Sequence, residues 1–268
     1  MSDQGDQLEH LRSVLRQLAP VVTAFSGGAD SAFLAWVAHD TLGPDRARAV
    51  TAVSASLAGD ELADCRELAL QWHLNWTTVE TDELDDPEYI ANDGLRCYHC
   101  KSALMDALEP ITDATVMLGV NLDDLGDHRP GQQAASERGA RFPLVEAAFT
   151  KADVRDWSRR LGLRTWDKPA AACLSSRLPY GTPVTIGVLS RVERAEAALH
   201  RLGFASLRVR HYGEVARIEV PVDQVVDLVA QREAVIEAVK VAGYEYVTVD
   251  LEGLRSGNLN GALSRTPH

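Results

Sequence analysis

The chain is short of positive charge. Its 268 residues carry 27 lysines and arginines against 39 aspartates and glutamates, a net charge of −12. Phosphate backbones attract basic faces, so this balance argues against nucleic acid as a partner. Long apolar runs are also missing. Nothing approaches the roughly 20 consecutive apolar residues that cross a bilayer, so no membrane partner is expected. The opening stretch Met1-Ser2-Asp3-Gln4-Gly5-Asp6 is acidic and polar, unlike the basic start and apolar run of a secretory leader; a cytoplasmic location is expected. Cysteine is scarce, with four residues in all: Cys65, Cys97, Cys100 and Cys173. In a reducing compartment so few thiols read as ligands, nucleophiles or core fillers rather than disulfides. What remains is ordinary globular material, 46% hydrophobic and 25% charged, enough for one large domain or two modest ones.

Leu8, Leu11, Leu15 and Leu18 recur at helical spacing, and Pro20 closes that helix. Val21 to Phe25 is a short apolar run suited to a buried strand. A glycine turn follows, then a helix over Ser31–His39. The unit repeats, with strands predicted over Arg48–Ser54, Trp76–Glu80 and Ala114–Leu118 and helices over Asp60–Trp72 and Tyr98–Leu108. Strands alternating with helices imply α/β architecture, a doubly wound parallel sheet covered on both faces. The pattern changes near residue 165. Residues 166–183, rich in Pro, Ala and Ser, read as a linker or ordered loop carrying Cys173. Residues 184–268 read as a smaller α+β domain, with helices over Ile186–Leu202 and Asp223–Val241 and strands over Ser206–Tyr212, Ala216–Val220 and Tyr244–Val249. The tail from Arg255 reads as loose.

The first chemistry lies in Ser26-Gly27-Gly28-Ala29-Asp30-Ser31, between a strand and a helix. Two glycines let the backbone turn sharply and approach a ligand. The helix behind them offers unpaired N–H groups and the positive end of its dipole, which together make an anion site. Ser26 and Ser31 add hydroxyls, and Asp30 can hold Mg²⁺ or cap the helix. The lysine of a Walker loop is missing, as is the dinucleotide glycine pattern. The stretch matches the SGGxDS signature of PP-loop ATP pyrophosphatases, which split ATP between its α and β phosphates. Ser54, Gly119 and Asn121 fall at the carboxyl ends of predicted strands, where ligands bind in such sheets. The run from Asn121 to Gly131 is dense in carboxylates, readable as Mg²⁺ ligands or as a solvated loop.

Cys97 and Cys100 stand three apart at the start of a predicted helix, a spacing that serves two ligands of one metal or cluster, or a redox pair. Cys173 lies far along the chain. Three thiolates without an obvious fourth suit a structural zinc site poorly, whereas on a [4Fe–4S] cluster they leave one iron open. Cys65, among Leu62, Leu68 and Ala69, reads as core packing.

Taken in order, SGGADSAFLA, RCYHCKSAL, GVNLDDLGDHRPG, AACLSSRLPYGTPVT and LRVRHYGEVARIEV resemble the LarE family of ATP-dependent sulfur transferases, which help make the nickel-pincer cofactor of lactate racemase. The resemblance runs from about residue 10 to about residue 250. It implies a pyridinium-3,5-biscarboxylic acid mononucleotide substrate, adenylation of a carboxylate, and displacement of AMP by sulfur to give a thiocarboxylate. It implies two possible sulfur sources, either Cys173 itself, left as dehydroalanine, or a [4Fe–4S] cluster on Cys97, Cys100 and Cys173. The paired cysteines match the cluster type. Arg208 and Arg210, two apart on one strand face, become expected contacts to the anionic substrate. Glu196 and Asp227 match acidic positions near the same site. Arg177 is expected to neutralise the adenylate or to lower the Cys173 thiol pKa. The resemblance also implies a homo-oligomer, up to a hexamer.

Three other readings stand beside this one. A PP-loop tRNA thiolase is disfavoured by the charge of −12. NAD-synthetase-like amide formation would leave the cysteines without purpose. A non-catalytic nucleotide sensor or iron–sulfur carrier fits poorly with the intact Asp30 and both loop glycines.

Overall fold

The computed structural model describes residues 3–126, 130–169 and 172–255. In chain order the elements are α1 (Asp3–Leu18), β1 (Val21–Ala24), α2 (Ala29–Leu42), β2 (Ala47–Val53), α3 (Gly59–Gln71), β3 (Asn75–Glu80), α4 (Pro87–Ile90), α5 (Arg96–Leu108), β4 (Thr115–Met117), α6 (Pro130–Glu137), α7 (Pro143–Glu146), α8 (Lys151–Arg160), α9 (Ile186–Arg201), β5 (Arg208–Tyr212), β6 (Val215–Glu219), α10 (Val225–Ala230), α11 (Arg232–Val241) and β7 (Tyr246–Val249). Among the described residues, no helix is long and apolar enough to cross a membrane.

These elements form two units. The first holds residues 1–54, 59–83 and 95–171. Its sheet is wholly parallel in the order β3-β2-β1-β4, and Met117 makes one further parallel bridge to Arg141. Successive strand residues point to opposite faces. Val21, Ala47 and Ala49 therefore join a core with Leu11 and Leu15 of α1, Phe33 and Leu34 of α2, Leu68 of α3 and Val154 of α8. Val22 and Val50 look the other way, onto Leu104 and Leu108 of α5. Helices on both faces bear out the doubly wound α/β reading. The strand order reverses between β1 and β4, so the crevice off their carboxyl ends is where such a sheet takes its ligand.

The second unit holds residues 55–58, 84–94 and 172–268. The sequence suggests continuous spans, but two short segments from within the first unit's stretch belong here. β5 pairs antiparallel with β6, and β6 pairs parallel with β7. Val209, Ala216 and Ile218 face Ala195 and Leu199 of α9 and Val235 and Val239 of α11. The helix expected over Asp223–Val241 is divided. A 3-10 turn (Val222–Gln224) precedes α10, and Gln231 leaves helical geometry (φ −94°, ψ 19°) before α11. That break lets Leu228 reach the same core as Val235 and Val239.

His211 sits buried on β5 with its Nδ1 3.2 Å from the Tyr244 hydroxyl. Burial, and secondarily the Arg191 cation, hold its pKa below the usual histidine value. The folded state therefore disfavours the protonated ring, and the stabilisation is present above the unfolded pKa of about 6.5 and lost as pH falls below it. Urea midpoints measured at pH 7.5 and 5.5 should drop on acidification in the native protein, and drop less in His211→Gln.

Candidate functional site

The glycine loop is knitted by serine hydroxyls. Gly27 takes φ +70°, the left-handed region that glycine enters at no steric cost. Gly28 is the extended residue ahead of α2 and caps it without a side chain. Ser31 Oγ donates to the Gly28 carbonyl at 3.1 Å and accepts from Ser26 N at 3.2 Å. The two serine hydroxyls lie 3.0 Å apart. The first-turn amides of α2 have no carbonyl to meet within the helix, so the loop presents a ring of donors.

β4 closes on this loop through Gly119. A β-carbon there would stand 2.7 Å from Ser31 N and 2.8 Å from the Asp30 carbonyl carbon, so only glycine lets the chain pass. Two residues on, Asn121 is fully buried and donates from Nδ2 to Asp30 Oδ1 at 3.1 Å. It also accepts from Asp123 N at 3.1 Å, opening a short 3-10 turn. Burial pushes the Asp30 carboxyl up, the Asn121 hydrogen bond pulls it down, and the nearby Asp124 charge raises it again. Asp124 is buried and ion-paired with Lys151 at 2.9 Å. Of the acidic run expected to serve Mg²⁺, Asp124 is thus the acid placed with Asp30, while Asp123 accepts from Lys151 N at 2.7 Å. Asn121 ties the two acids together, its side-chain amide donating to Asp30 and its backbone N–H to Asp124 Oδ2 at 3.3 Å, and carboxylate oxygens are the donors that a hard divalent cation takes. Residues 127–129 of the run lie outside the described residues. Ser54 lies just past β2, and its hydroxyl donates to the buried Glu83 carboxylate.

The cysteines separate by environment. Cys65 is fully buried against the loop, with its Sγ 2.9 Å from where a β-carbon on Gly27 would stand. Burial pushes its thiol up to about 11. It stays protonated, as a core filler would. Cys97 and Cys173 are exposed, Cys100 is partly so, and all are free thiols. Cys97 and Cys100 occupy the first turn of α5. Gly131 of α6 packs on that turn so closely that a β-carbon would meet the Cys97 carbonyl at 2.9 Å. Accessible soft donors fit iron–sulfur ligation better than the buried fourth thiol does.

In the second unit, Cys173 leads a 3-10 turn over Leu174–Arg177 that is tied down on every side. Leu174 N donates to Ser56 O at 2.8 Å. Ser175 Oγ meets the Tyr89 hydroxyl at 2.7 Å, which meets Ser56 Oγ at 2.6 Å. Arg177 donates to the carbonyls of Ala172 and Cys173 at 2.5 and 3.1 Å. Its remaining donors grip Glu196 bidentately, both at 2.9 Å. Glu196, from α9, also accepts from Val209 N at 2.8 Å. Arg177 and Glu196 therefore act here as a brace for the cysteine turn.

Arg208 and Arg210 do share a strand face, as their spacing predicts, but they differ. Arg210 is 2% exposed, donates twice to Glu219 Oε2 and once to Ser176 O at 2.8 Å. Arg217 takes the other Glu219 oxygen at 3.1 Å. Arg208 is half-buried, and among the described residues no carboxylate pairs with it. Burial, with Arg177 and Arg210 beside it, lowers its pKa, while the Glu219 and Glu196 charges act the other way. Asp227 is exposed on α10 and, among the described residues, makes no ion pair with these arginines. Sequence reasoning missed Ser56, Tyr89, Ser175 and Glu219. Ser56 and Tyr89 lie outside every motif, and Ser175 and Glu219, though inside segments that carry the resemblance, matter here through contacts to residues elsewhere in the chain.

No protein-family profile matches the chain. An uncharacterized protein of Synechocystis is 46% identical over 265 residues, covering 97% of this chain and 98% of that protein. The pyridinium-3,5-bisthiocarboxylic acid mononucleotide synthase of Lactiplantibacillus plantarum is 38% identical over 259 residues, covering 95% of this chain and 94% of that enzyme. An uncharacterized protein of Methanocaldococcus jannaschii is 26% identical over 240 residues, covering 88% of this chain and 91% of that protein.

Proposed function

Because the chain belongs to the LarE family of pyridinium-3,5-bisthiocarboxylic acid mononucleotide synthases, we propose that it activates a carboxylate of pyridinium-3,5-biscarboxylic acid mononucleotide with ATP and converts it to a thiocarboxylate. The observation that carries this reading is Arg208, a half-buried cation in no ion pair among the described residues, beside the turn that presents the exposed Cys173. An arginine in that state favours an incoming phosphate or carboxylate.

ATP sits with its β and γ phosphates on the loop amides of Gly27 to Ser31, with the Ser26 hydroxyl beside them. Asp30 and Asp124 would hold the Mg²⁺ that accompanies it, with hard carboxylate oxygens. A substrate carboxylate oxygen attacks the α-phosphorus, and pyrophosphate leaves with the electron pair of the broken P–O bond. A sulfur nucleophile then adds to the acyl carbon and AMP departs. A [4Fe–4S] cluster held by Cys97, Cys100 and Cys173 would supply that sulfur. The enzyme works as a homo-oligomer, up to a hexamer. Val222, Val226 and Val229, 63%, 75% and 52% exposed at helical spacing, support such an assembling face.

The test is anaerobic turnover with ATP and the biscarboxylate, followed by mass analysis of small molecule and protein. Thiocarboxylate in several-fold excess over enzyme, with the protein mass unchanged, is the expected outcome. One equivalent of product and a protein lighter by the elements of H2S, with Cys173 left as dehydroalanine, would assign the sulfur to that residue instead.

A further inference from the structure

A phosphate loop without its own lysine needs a cation from elsewhere, because two phosphates leave together carrying most of the charge of the nucleotide. The fold brings one in. Lys168 reaches back to the loop, with its Nζ 3.7 Å from where a β-carbon on Gly27 would stand. The ammonium is half-buried and held from one side, 2.8 Å from Glu61 Oε2 and 2.7 Å from Asp64 Oδ2, both on α3. Arg164 donates to the other oxygen of Asp64 at 2.6 Å and offsets that carboxylate. An ammonium carries three donors, and these two carboxylates occupy two of them.

We propose that Lys168 is the pyrophosphate-binding cation of this enzyme, placed by Glu61 and Asp64 so that its third N–H meets the β or γ phosphate of ATP and the pyrophosphate that leaves. The inference rests on the reading that ATP is split at this loop. As the bond between the α-phosphorus and the bridging oxygen breaks, the electron pair goes to pyrophosphate, and the fixed Lys168 charge faces the oxygens on which it collects. A cation already held in position loses less rotamer freedom on binding than a free lysine would. The same placement gives the two acids of α3 a purpose that no helix-surface pattern supplies.

Calorimetric titration with magnesium pyrophosphate, and separately with AMP, tests it. Lys168→Gln should weaken pyrophosphate at least tenfold and leave AMP within twofold. Asp64→Asn, which loosens the ammonium without removing it, should weaken pyrophosphate by less than Lys168→Gln does and leave AMP within twofold. A footprint on the native protein needs no variant: acetylation of Lys168, read by mass spectrometry, should slow at least fivefold with magnesium pyrophosphate and not with AMP. Equal pyrophosphate binding by Lys168→Gln and the native protein, equal weakening of both ligands, or unprotected acetylation overturns the proposal. A native protein that binds neither ATP nor pyrophosphate overturns the adenylation reading itself.

Discussion

Replacing Gly119 with alanine lowers the rate of pyrophosphate release about a hundredfold, the scale on which a displacement near 1 Å in a catalytic site is felt. The added carbon meets backbone rather than a yielding side chain: Ser31 N at 2.7 Å, the Asp30 carbonyl carbon at 2.8 Å and Ser31 Cα at 2.9 Å. Either β4 or the start of α2 must retreat. Both carry the site, since Asp30 and Ser31 open the helix and Asn121, two residues past Gly119, grips Asp30. Gly126→Ala is the control, because a β-carbon there meets none of the described residues within 4 Å. Steady-state pyrophosphate assays on both variants decide the matter. A Gly119→Ala enzyme within threefold of the native rate would show that the strand and loop are not held in this register.

Arg210→Met should cost the fold about 3–5 kcal/mol, the usual penalty for stranding a buried partner charge. The stranded group is Glu219, which is 0% exposed and takes two of its hydrogen bonds from Arg210. Arg217 still reaches Glu219 at 3.1 Å, but it also lies 3.5 Å from Asp250 and is shared. Adding Glu219→Leu to Arg210→Met should return most of the loss, because replacing both partners of a buried pair with apolar groups is often neutral. Arg208→Met should leave stability within about 0.5 kcal/mol, as substitutions without a structural partner do. Urea unfolding of the three variants reads the difference. An Arg210→Met midpoint equal to the native one would show that the Arg210–Glu219 pair does not hold the fold.

The parts legible in the sequence are those whose meaning is local. A strand, two glycines and a capped helix in succession define the phosphate loop wherever they stand, and Ser26 to Ser31 adopt that geometry. Alternation placed Arg208 and Arg210 on one face. It could not show that Glu219 faces Arg208 across the ladder from β6, because strand register is set by the whole sheet. The helix α8 went unread although Thr150 and Asp153 form a capping box, a pattern recognisable from spacing alone. α6 carries no such signal in Pro130–Glu137. Lys168 is one lysine in an irregular stretch, and its place beside Gly27 follows from tertiary packing. Tyr89 and Ser56 are legible only once two short segments are known to leave the first unit's run.

Those segments carry a consequence for how the protein can be divided. The chain passes from one unit to the other after residues 54, 58, 83, 94 and 171, so it is laced rather than strung. Ser56 and Tyr89, which seat the cysteine turn, are encoded between stretches of the first unit. The two halves cannot be exchanged as cassettes between genes by a single crossover. A new second unit would have to arrive in three pieces at once, which ties the descent of the cysteine turn to that of the glycine loop.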